Sequence, residues 1–215
     1  MPGKFIVFEG IDGAGTETQS KLLTERLKTA GMGVVRIQYP DYGPDKENPT
    51  KPIGRLLHEY LHEKYDFDEK LQFLLYSADM IKDIPLITDA LTADKIIIAD
   101  RYFTTTLAYQ GLRGFSLKSA LQYAKMFGLP QPDIIIYLDI SPETSLKRKY
   151  GEKAGHLDRN ERDEVLFTNL IKFYKEKLIS ASVFGKWIVI DGEASIEEVT
   201  KQIVAVLRSE LGLKL

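Results

Sequence analysis

The chain has 215 residues with 44% hydrophobic content, enough for one good core, and we expect a single domain over residues 1–215. Its 29 basic and 31 acidic residues leave a net charge of −2, which gives no electrostatic case for nucleic acid or an anionic membrane as the main partner. The chain contains no cysteine, which excludes disulfides, thiolate zinc sites and cysteine nucleophiles. A polar start and the lack of any apolar run near ~18 residues predict a cytoplasmic protein without a membrane segment.

The first element in chain order has the pattern of a phosphate-binding loop. An apolar run at residues 5–8 predicts a buried strand, and an amphipathic stretch at about 17–30 predicts a helix. Between them stand three glycines, Gly10, Gly13 and Gly15. A strand, a glycine loop and a helix N-terminus together aim backbone N–H groups at a phosphate, so we expect one to bind here.

Two positions of this loop depart from its usual pattern, G-x-x-x-x-G-K-[ST], in which the lysine reaches the β- and γ-phosphates and the hydroxyl holds Mg²⁺. Thr16 stands at the lysine position and Glu17 at the hydroxyl position. The change amounts to two charge units beside a bound triphosphate, and two unit charges ~4 Å apart interact by roughly 4 kcal/mol at an effective dielectric of ~20. We therefore expect Glu17 to act as a Mg²⁺ ligand, with Thr18 supplying a displaced hydroxyl.

Short strand-like runs alternate with longer helical stretches along the rest of the chain. Strands are predicted at about 4–9, 34–39, 95–100, 133–140 and 187–191. Helices are predicted at about 17–30, 52–64, 68–93, 103–127, 142–150, 160–182 and 195–211. Pro85 is expected to kink or break the third helix, and a proline-rich loop is expected at 40–52. The alternation predicts an α/β fold with a five-stranded parallel sheet, helices on both faces, and a ligand site beyond the carboxyl ends of the strands.

Charged or aromatic residues follow four of the five predicted strands. The first strand ends at Glu9, the second in Tyr-Pro-Asp-Tyr at 39–42, the third at Asp100-Arg101 and the fourth at Asp139. A carboxylate at this edge can hold Mg²⁺ through water, and an arginine can grip a phosphate in a fork. We predict these roles for Asp100 and Arg101; the alternative is an ion pair between them that only caps the sheet.

Longer motifs resemble those of the thymidylate kinases, which are P-loop nucleoside monophosphate kinases. The strongest is DRYFTTTLAYQG at 100–111, preceded by FEGIDGAG at 8–15 and FLLYSAD at 73–79. Shorter matches lie at 18–19, 132–133, 138–139, 146–148 and 190–192. The resemblance covers nearly the whole chain. It implies the P-loop nucleoside monophosphate kinase fold, ATP- and Mg²⁺-dependent phosphorylation of dTMP to dTDP, and a homodimer.

The resemblance also implies which residues form the site. The expected ATP-binding residues are Gly10, Ile11, Asp12, Gly13, Ala14, Gly15, Thr16, Glu17, Thr18 and Arg148. The expected dTMP-binding residues are Asp12, Tyr42, Tyr76, Arg101, Thr105, Tyr109 and Gln110. The expected metal ligands are Glu17, Thr18 and Asp100, and the expected catalytic residues are Arg101, Asp12 and Arg159. A lid is implied at about 149–162, and one of its cations, Lys149, Lys153, Arg159 or Arg162, would replace the missing loop lysine.

Each acceptor-pocket residue has a specific implied role. Arg101 would hold the acceptor phosphate, Tyr76 would stack on the base, and Tyr109 would help to exclude a 2′-hydroxyl. Stacking of this kind is worth ~1–3 kcal/mol. Tyr76 has apolar neighbours and could instead be plain core, and the lid cations could form an ordinary solvated helix.

One departure from the family concerns the acceptor base. Met80 stands four residues after Tyr76, where the family usually has an arginine that reads the thymine edge. A thioether cannot donate a hydrogen bond, so base choice is expected to be looser. Two alternatives therefore stay open: a kinase for another deoxynucleoside monophosphate, and a nucleotide-binding protein of the same fold with little catalysis.

A competing motif, H-E-x-x-H, lies at residues 58–62 and places two imidazoles on one helix face, as zinc proteases do. A catalytic zinc needs a third protein ligand, and the only other histidine is His156, in the expected lid. A solvated helix face is the favoured interpretation.

Overall fold

The computed structural model describes residues 2–153 and 164–215. In these ranges the chain forms a five-stranded, all-parallel sheet with strand order β2-β3-β1-β4-β5. The strands are β1 Lys4–Glu9, β2 Val34–Gln38, β3 Ile96–Asp100, β4 Ile134–Asp139 and β5 Trp187–Asp191. The central strands β1, β3 and β4 are almost wholly buried, because helices cover both faces, and this explains their continuous apolar sequences.

Helices connect and cover the strands. The first four are α1 Thr16–Thr29, α2 Pro52–Leu61, α3 Glu69–Ile81 and α4 Ile84–Thr92. The next four are α5 Phe103–Leu112, α6 Leu117–Phe127, α7 Pro142–Lys153 and α8 Glu164–Phe173. A π-helical turn, Tyr174–Ile179, continues α8, and α9 is Ile196–Leu211. Across the described ranges, no helix combines the length and the apolar character that crossing a membrane requires.

The predicted α/β class and parallel sheet are confirmed, and each strand ends within a residue of its expected bounds. The expected break near Pro85 is also present, since α3 ends at Ile81 and Pro85 lies in the first turn of α4. The single helix predicted at 103–127 is wrong. It is two helices, because Gly114 turns the chain with φ of 98° and Ser116 caps α6 by accepting a hydrogen bond from the Ser119 N–H.

The carboxyl ends of β1, β2 and β3 lie side by side. Phe8 and Gln38 both pair in register with Asp100. The Arg101 N–H donates to the Phe8 carbonyl at 2.9 Å, and the Tyr39 N–H donates to the Asp100 carbonyl at 3.0 Å. The glycine loop, the Tyr39–Tyr42 segment and Arg101 therefore leave the sheet at one edge.

The loop after β2, residues 39–51, is fixed at its base to α3. The Asp41 N–H donates to Oδ2 of the buried Asp79 at 2.8 Å, and Lys82 lies 3.2 Å from Asp41 and 3.0 Å from Asp79. Burial raises the pKa of Asp79, and the Asp41 N–H and Lys82 oppose that rise. On the other side α2 approaches so closely that a Cβ on Gly54 would lie 1.9 Å from the Asp41 carbonyl oxygen.

The space around two helical glycines, crowded at Gly54 and open at Gly151, predicts opposite effects of adding a methyl group. Gly54→Ala should destabilise the protein by about 1–3 kcal/mol, because the added methyl overlaps backbone that cannot move freely. Gly151→Ala in α7, where a Cβ would meet nothing within 4 Å, should stabilise it by about 0.5–1 kcal/mol through helix propensity. Urea unfolding of both variants measures the difference, and a stabilised Gly54→Ala would contradict the packing argument.

Candidate active site

The glycine loop between β1 and α1 leaves backbone donors facing outward. Gly15 is the N-cap of α1 with φ of 93°, a left-handed conformation that glycine adopts without strain. No side chain in the described ranges caps this helix, so its first N–H groups have no side-chain acceptor. An uncapped helix N-terminus behind a glycine loop is suited to bind a phosphate.

Helix α7 braces this loop from behind. The Ser145 hydroxyl donates to the Asp12 carbonyl at 2.5 Å, and a Cβ on Gly13 would lie 3.0 Å from the Ser145 carbonyl oxygen. Arg148 donates to the Gly13 carbonyl at 3.1 Å and to the Gly192 carbonyl at 2.9 Å. Arg148 therefore spans from the loop to the turn after β5.

Three of the expected acceptor residues meet in one cluster. Arg101 donates to Oδ1 of Asp12 at 2.5 Å and to the Gly10 carbonyl at 2.9 Å, and the Tyr109 hydroxyl donates to Oδ2 of Asp12 at 3.1 Å. The pKa of Arg101 is raised, because the charge of Asp12 and other nearby groups outweighs the effect of burial, which lowers it. The guanidinium is thus permanently charged and is held against the glycine loop.

Behind this cluster lies Glu9, a residue to which the sequence assigned no role. Its side chain is fully buried and accepts hydrogen bonds from the hydroxyls of Thr104 at 2.5 Å, Thr105 at 2.6 Å and Tyr174 at 3.0 Å. Burial raises the pKa of Glu9, and the Arg101 charge and these hydroxyls lower it. Thr105, expected at the sugar and base, therefore donates its hydroxyl to Glu9. The available signal was an acid at the end of an apolar strand.

Asp100 is paired, but its partner is not Arg101. Arg36 on β2 lies 3.1 Å from Oδ2 of Asp100 and also donates to the Ser20 hydroxyl at 3.0 Å. The proposed strand-end pair of Asp100 with Arg101 is not formed, because Arg101 turns towards Asp12 with φ of 65°. Asp100 and Arg101 therefore serve different parts of the edge.

Glu17 at the altered loop position is held by two lysines. Lys21 lies 2.7 Å from one carboxylate oxygen and Lys46 lies 2.5 Å from the other. Burial raises the pKa of Glu17, but the hydrogen bonds and charges of the two lysines outweigh it and lower the pKa to about 2. Thr16 is buried and Thr18 is exposed. Glu17 is therefore an ionised carboxylate with two cationic neighbours.

The described residues do not form a preassembled metal centre. No group of three or more acidic or histidine side chains among residues 2–153 and 164–215 is arranged to hold an ion. Glu17 and Asp100 nevertheless offer the oxygen chemistry that suits Mg²⁺, which is usually bound by one or two carboxylates together with substrate phosphates. Both carboxylates are already ion-paired, Glu17 with Lys21 and Lys46 and Asp100 with Arg36, so an ion arriving with a nucleotide would have to compete with these cations.

The residues expected to contact the base lie on α3 and α5, which pack together. Tyr76 is half-buried on α3. Gln110 on α5 is buried, and its Oε1 atom has no hydrogen-bond partner in the described part of the chain. Met80 is only 2% exposed, so it belongs to the core. Tyr42 points towards α2, where its ring meets His58 edge-on at 5.6 Å.

The two histidines of the H-E-x-x-H motif stack on each other with ring centroids 3.9 Å apart. The Nδ1 atom of His62 lies 2.8 Å from the His58 carbonyl oxygen, and burial and His62 lower the pKa of His58. Among the described residues, no third ligand stands with these two histidines. The helix-face interpretation stays a prediction. His156, Arg159, Arg162 and most of the expected lid lie outside the described residues; α7 extends to Lys153.

The chain is similar in sequence to proteins of a known family. A family model described as thymidylate kinase matches residues 8–203. The chain belongs to the thymidylate kinase family. Thymidylate kinase from Nostoc punctiforme is 35% identical over 219 residues, covering 98% of both chains, and a probable thymidylate kinase from Pyrococcus abyssi is 34% identical over 217 residues, covering 98% of both. Thymidylate kinase from Dictyostelium discoideum is 32% identical over 210 residues, covering 97% of this chain and 86% of its own.

The thymidylate kinase match spans the structural features just described. It includes the glycine loop, the cluster formed by Asp12, Arg101 and Tyr109, and the brace at Arg148. The matched range 8–203 also includes Thr16 and Glu17, the two altered positions of the loop.

Proposed function

We propose that this chain transfers the γ-phosphoryl group of ATP to dTMP, forming dTDP and ADP. Family membership supports the reaction, and the observation that carries it is the Arg101 guanidinium held beside the glycine loop by Asp12. Two phosphate-binding groups, the loop N–H donors and a fork-shaped cation, thus share one edge of the sheet. Phosphoryl transfer needs this juxtaposition more than it needs a chemical base.

On the donor side, the glycine loop and the N-terminus of α1 would bind the polyphosphate, and Arg148 would border the nucleotide. Bound Mg²⁺ would neutralise charge between the phosphates. Glu17 and Asp100 would supply the negative charge that holds the ion, and Thr18, an exposed residue that follows Glu17 in the sequence, would add a hydroxyl. Arg159, expected to act from the lid, lies outside the described residues and stays a predicted member of the donor site.

On the acceptor side, Arg101 would grip the dTMP phosphate, and that phosphate's own oxygen would attack. It is ionised near neutral pH, so no side chain needs to remove a proton. Tyr76 would stack on the base, and Tyr109 would stand beside the sugar. The Oε1 atom of Gln110 has no hydrogen-bond partner in the described part of the chain but is buried, so Gln110 would have to rotate to accept a hydrogen bond from the nucleoside. Thr105 and Tyr42 would complete the pocket wall.

The acceptor preference gives the first test of this function. dTMP should be the best or near-best substrate, with dUMP a closer second than usual, because Met80 is buried and has no donor with which to read the base. A coupled ADP-release assay across the monophosphates measures the order. Turnover of AMP or CMP with dTMP inert would favour another monophosphate kinase, and nucleotide binding without any turnover would favour a non-catalytic protein.

Replacing Arg101 tests the acceptor clamp. Arg101→Ala should lower kcat/KM by an amount equivalent to about 2–5 kcal/mol of transition-state stabilisation, the range for losing one member of a buried charge pair. Arg101→Lys should recover only part of that loss, since a point charge replaces a fork. Thermal unfolding is the control: normal kinetics with reduced stability would make Arg101 a structural residue.

We also propose that the protein is a homodimer, paired through α3 and α6. The two helices expose large apolar side chains beside a surface cavity of about 490 Å³. The exposed fractions are 41% for Leu71, 48% for Leu74, 72% for Met126 and 44% for Phe127. A patch of this kind marks an interaction surface, and a second copy would place identical patches against each other in a two-fold arrangement.

A charge placed in this patch should separate the copies. Met126→Glu should shift the protein to a monomer in sedimentation experiments at micromolar concentration, because a buried unpaired carboxylate opposes association. Ile196→Glu on α9, also at an exposed apolar position, is the matched control and should leave the mass unchanged. A parent protein that is already monomeric would refute the dimer.

A further inference from the structure

Lys46 brings a positive charge from another loop to the altered phosphate loop. Its ammonium lies 2.5 Å from Glu17, which is in the first turn of α1 and 29 residues earlier in the chain. Lys21, the other cation on Glu17, comes from the next turn of the same helix. Of these two lysines, Lys46 is therefore the one that reaches Glu17 from a different segment of the chain.

The two lysines change the charge balance that the sequence implies for this loop. Thr16 and Glu17 together make the loop two charge units less positive than the usual pattern. Two ammonium groups on one carboxylate leave this group of three side chains with a net positive charge. The described part of the chain thus already contains cations that can compensate for the missing lysine.

The segment that carries Lys46 is ordered by its own hydrogen bonds. Asp45 accepts the N–H groups of Glu47 at 2.9 Å and Asn48 at 3.3 Å, as well as the Asn48 side chain. The Thr50 N–H donates to the Tyr42 carbonyl at 3.0 Å, which closes the loop. These hydrogen bonds order the backbone on both sides of Lys46, so little further ordering is needed when a ligand binds.

We propose that Lys46 is the cation that replaces the missing loop lysine by contacting the polyphosphate of the nucleotide, and that Glu17 is the residue that positions it. This inference rests on the proposed binding of ATP at the glycine loop. It differs from a role of Glu17 as a metal ligand alone, because Lys46 then acts on ATP without metal. It also differs from an ordinary surface ion pair, which contributes little to stability and nothing to binding.

The matched pair Lys46→Met and Lys21→Met tests the proposal, since each removes one positive charge beside Glu17. ATP affinity is measured by calorimetry, first with EDTA and then with Mg²⁺. Lys46→Met should weaken ATP binding about tenfold in both conditions, whereas Lys21→Met should change it less than about threefold. Adenosine, which has no phosphate, should bind the parent and both variants alike, and Lys46→Arg should restore most of the ATP affinity.

The positioning role of Glu17 is tested in the same assay. In a Glu17→Gln background, Lys46→Met should have less than half its effect on a logarithmic scale, because the lysine is no longer held. Equal effects of the two lysine variants, or an effect of Lys46→Met only with Mg²⁺, would overturn the proposal. Dependence of ATP binding on Lys46 in a parent that cannot phosphorylate dTMP would sustain this inference and refute the proposed function.

Discussion

The buried carboxylate of Glu9 is the constraint around which the catalytic edge is arranged. A charge or proton with no access to water must be satisfied by groups within the fold. Glu9 finds them in the first turn of α5, through Thr104 and Thr105, and in the π-helical turn, through Tyr174. These contacts fix the end of β1 against two elements that follow it by more than ninety residues. Arg101 lies just before the first turn of α5, so these contacts also fix its backbone, and Gly10 and Asp12 then hold its guanidinium.

The sheet could be predicted from the sequence because its strands are continuous apolar runs, and that pattern reports burial on both faces. The single helix predicted at 103–127 was wrong because apolar periodicity continues across the turn between α5 and α6. Only Gly114 and Ser116 mark that turn in the sequence. In the site, Asp12, Arg101 and Tyr109 were predicted from their motifs and the structure brings them together. The resemblance gave Glu9 no role although it lies in the 8–15 match, and its contact with Thr105 joins residues 96 positions apart, which no local pattern reports.

The altered phosphate loop shows the limit of counting charges along a sequence. Locally, Thr16 and Glu17 make the loop less positive. In the folded chain, Lys21 and Lys46 both pair with Glu17, and Arg36 pairs with Asp100. Lys21 is four residues away and follows helical spacing, but Arg36 and Lys46 arrive from β2 and the loop after it. Their positions depend on strand order, which local patterns do not encode.

Because Arg101 is paired with Asp12, any anion that binds Arg101 must compete with a carboxylate. Before a substrate binds, the guanidinium already has a carboxylate partner at 2.5 Å. An incoming anion must therefore offer more than one negative charge or more than one oxygen pair to gain by displacing it. A phosphate monoester dianion meets that condition, whereas chloride or a single carboxylate does not. In the proposed acceptor site, Asp12 would therefore compete with weakly charged anions for Arg101.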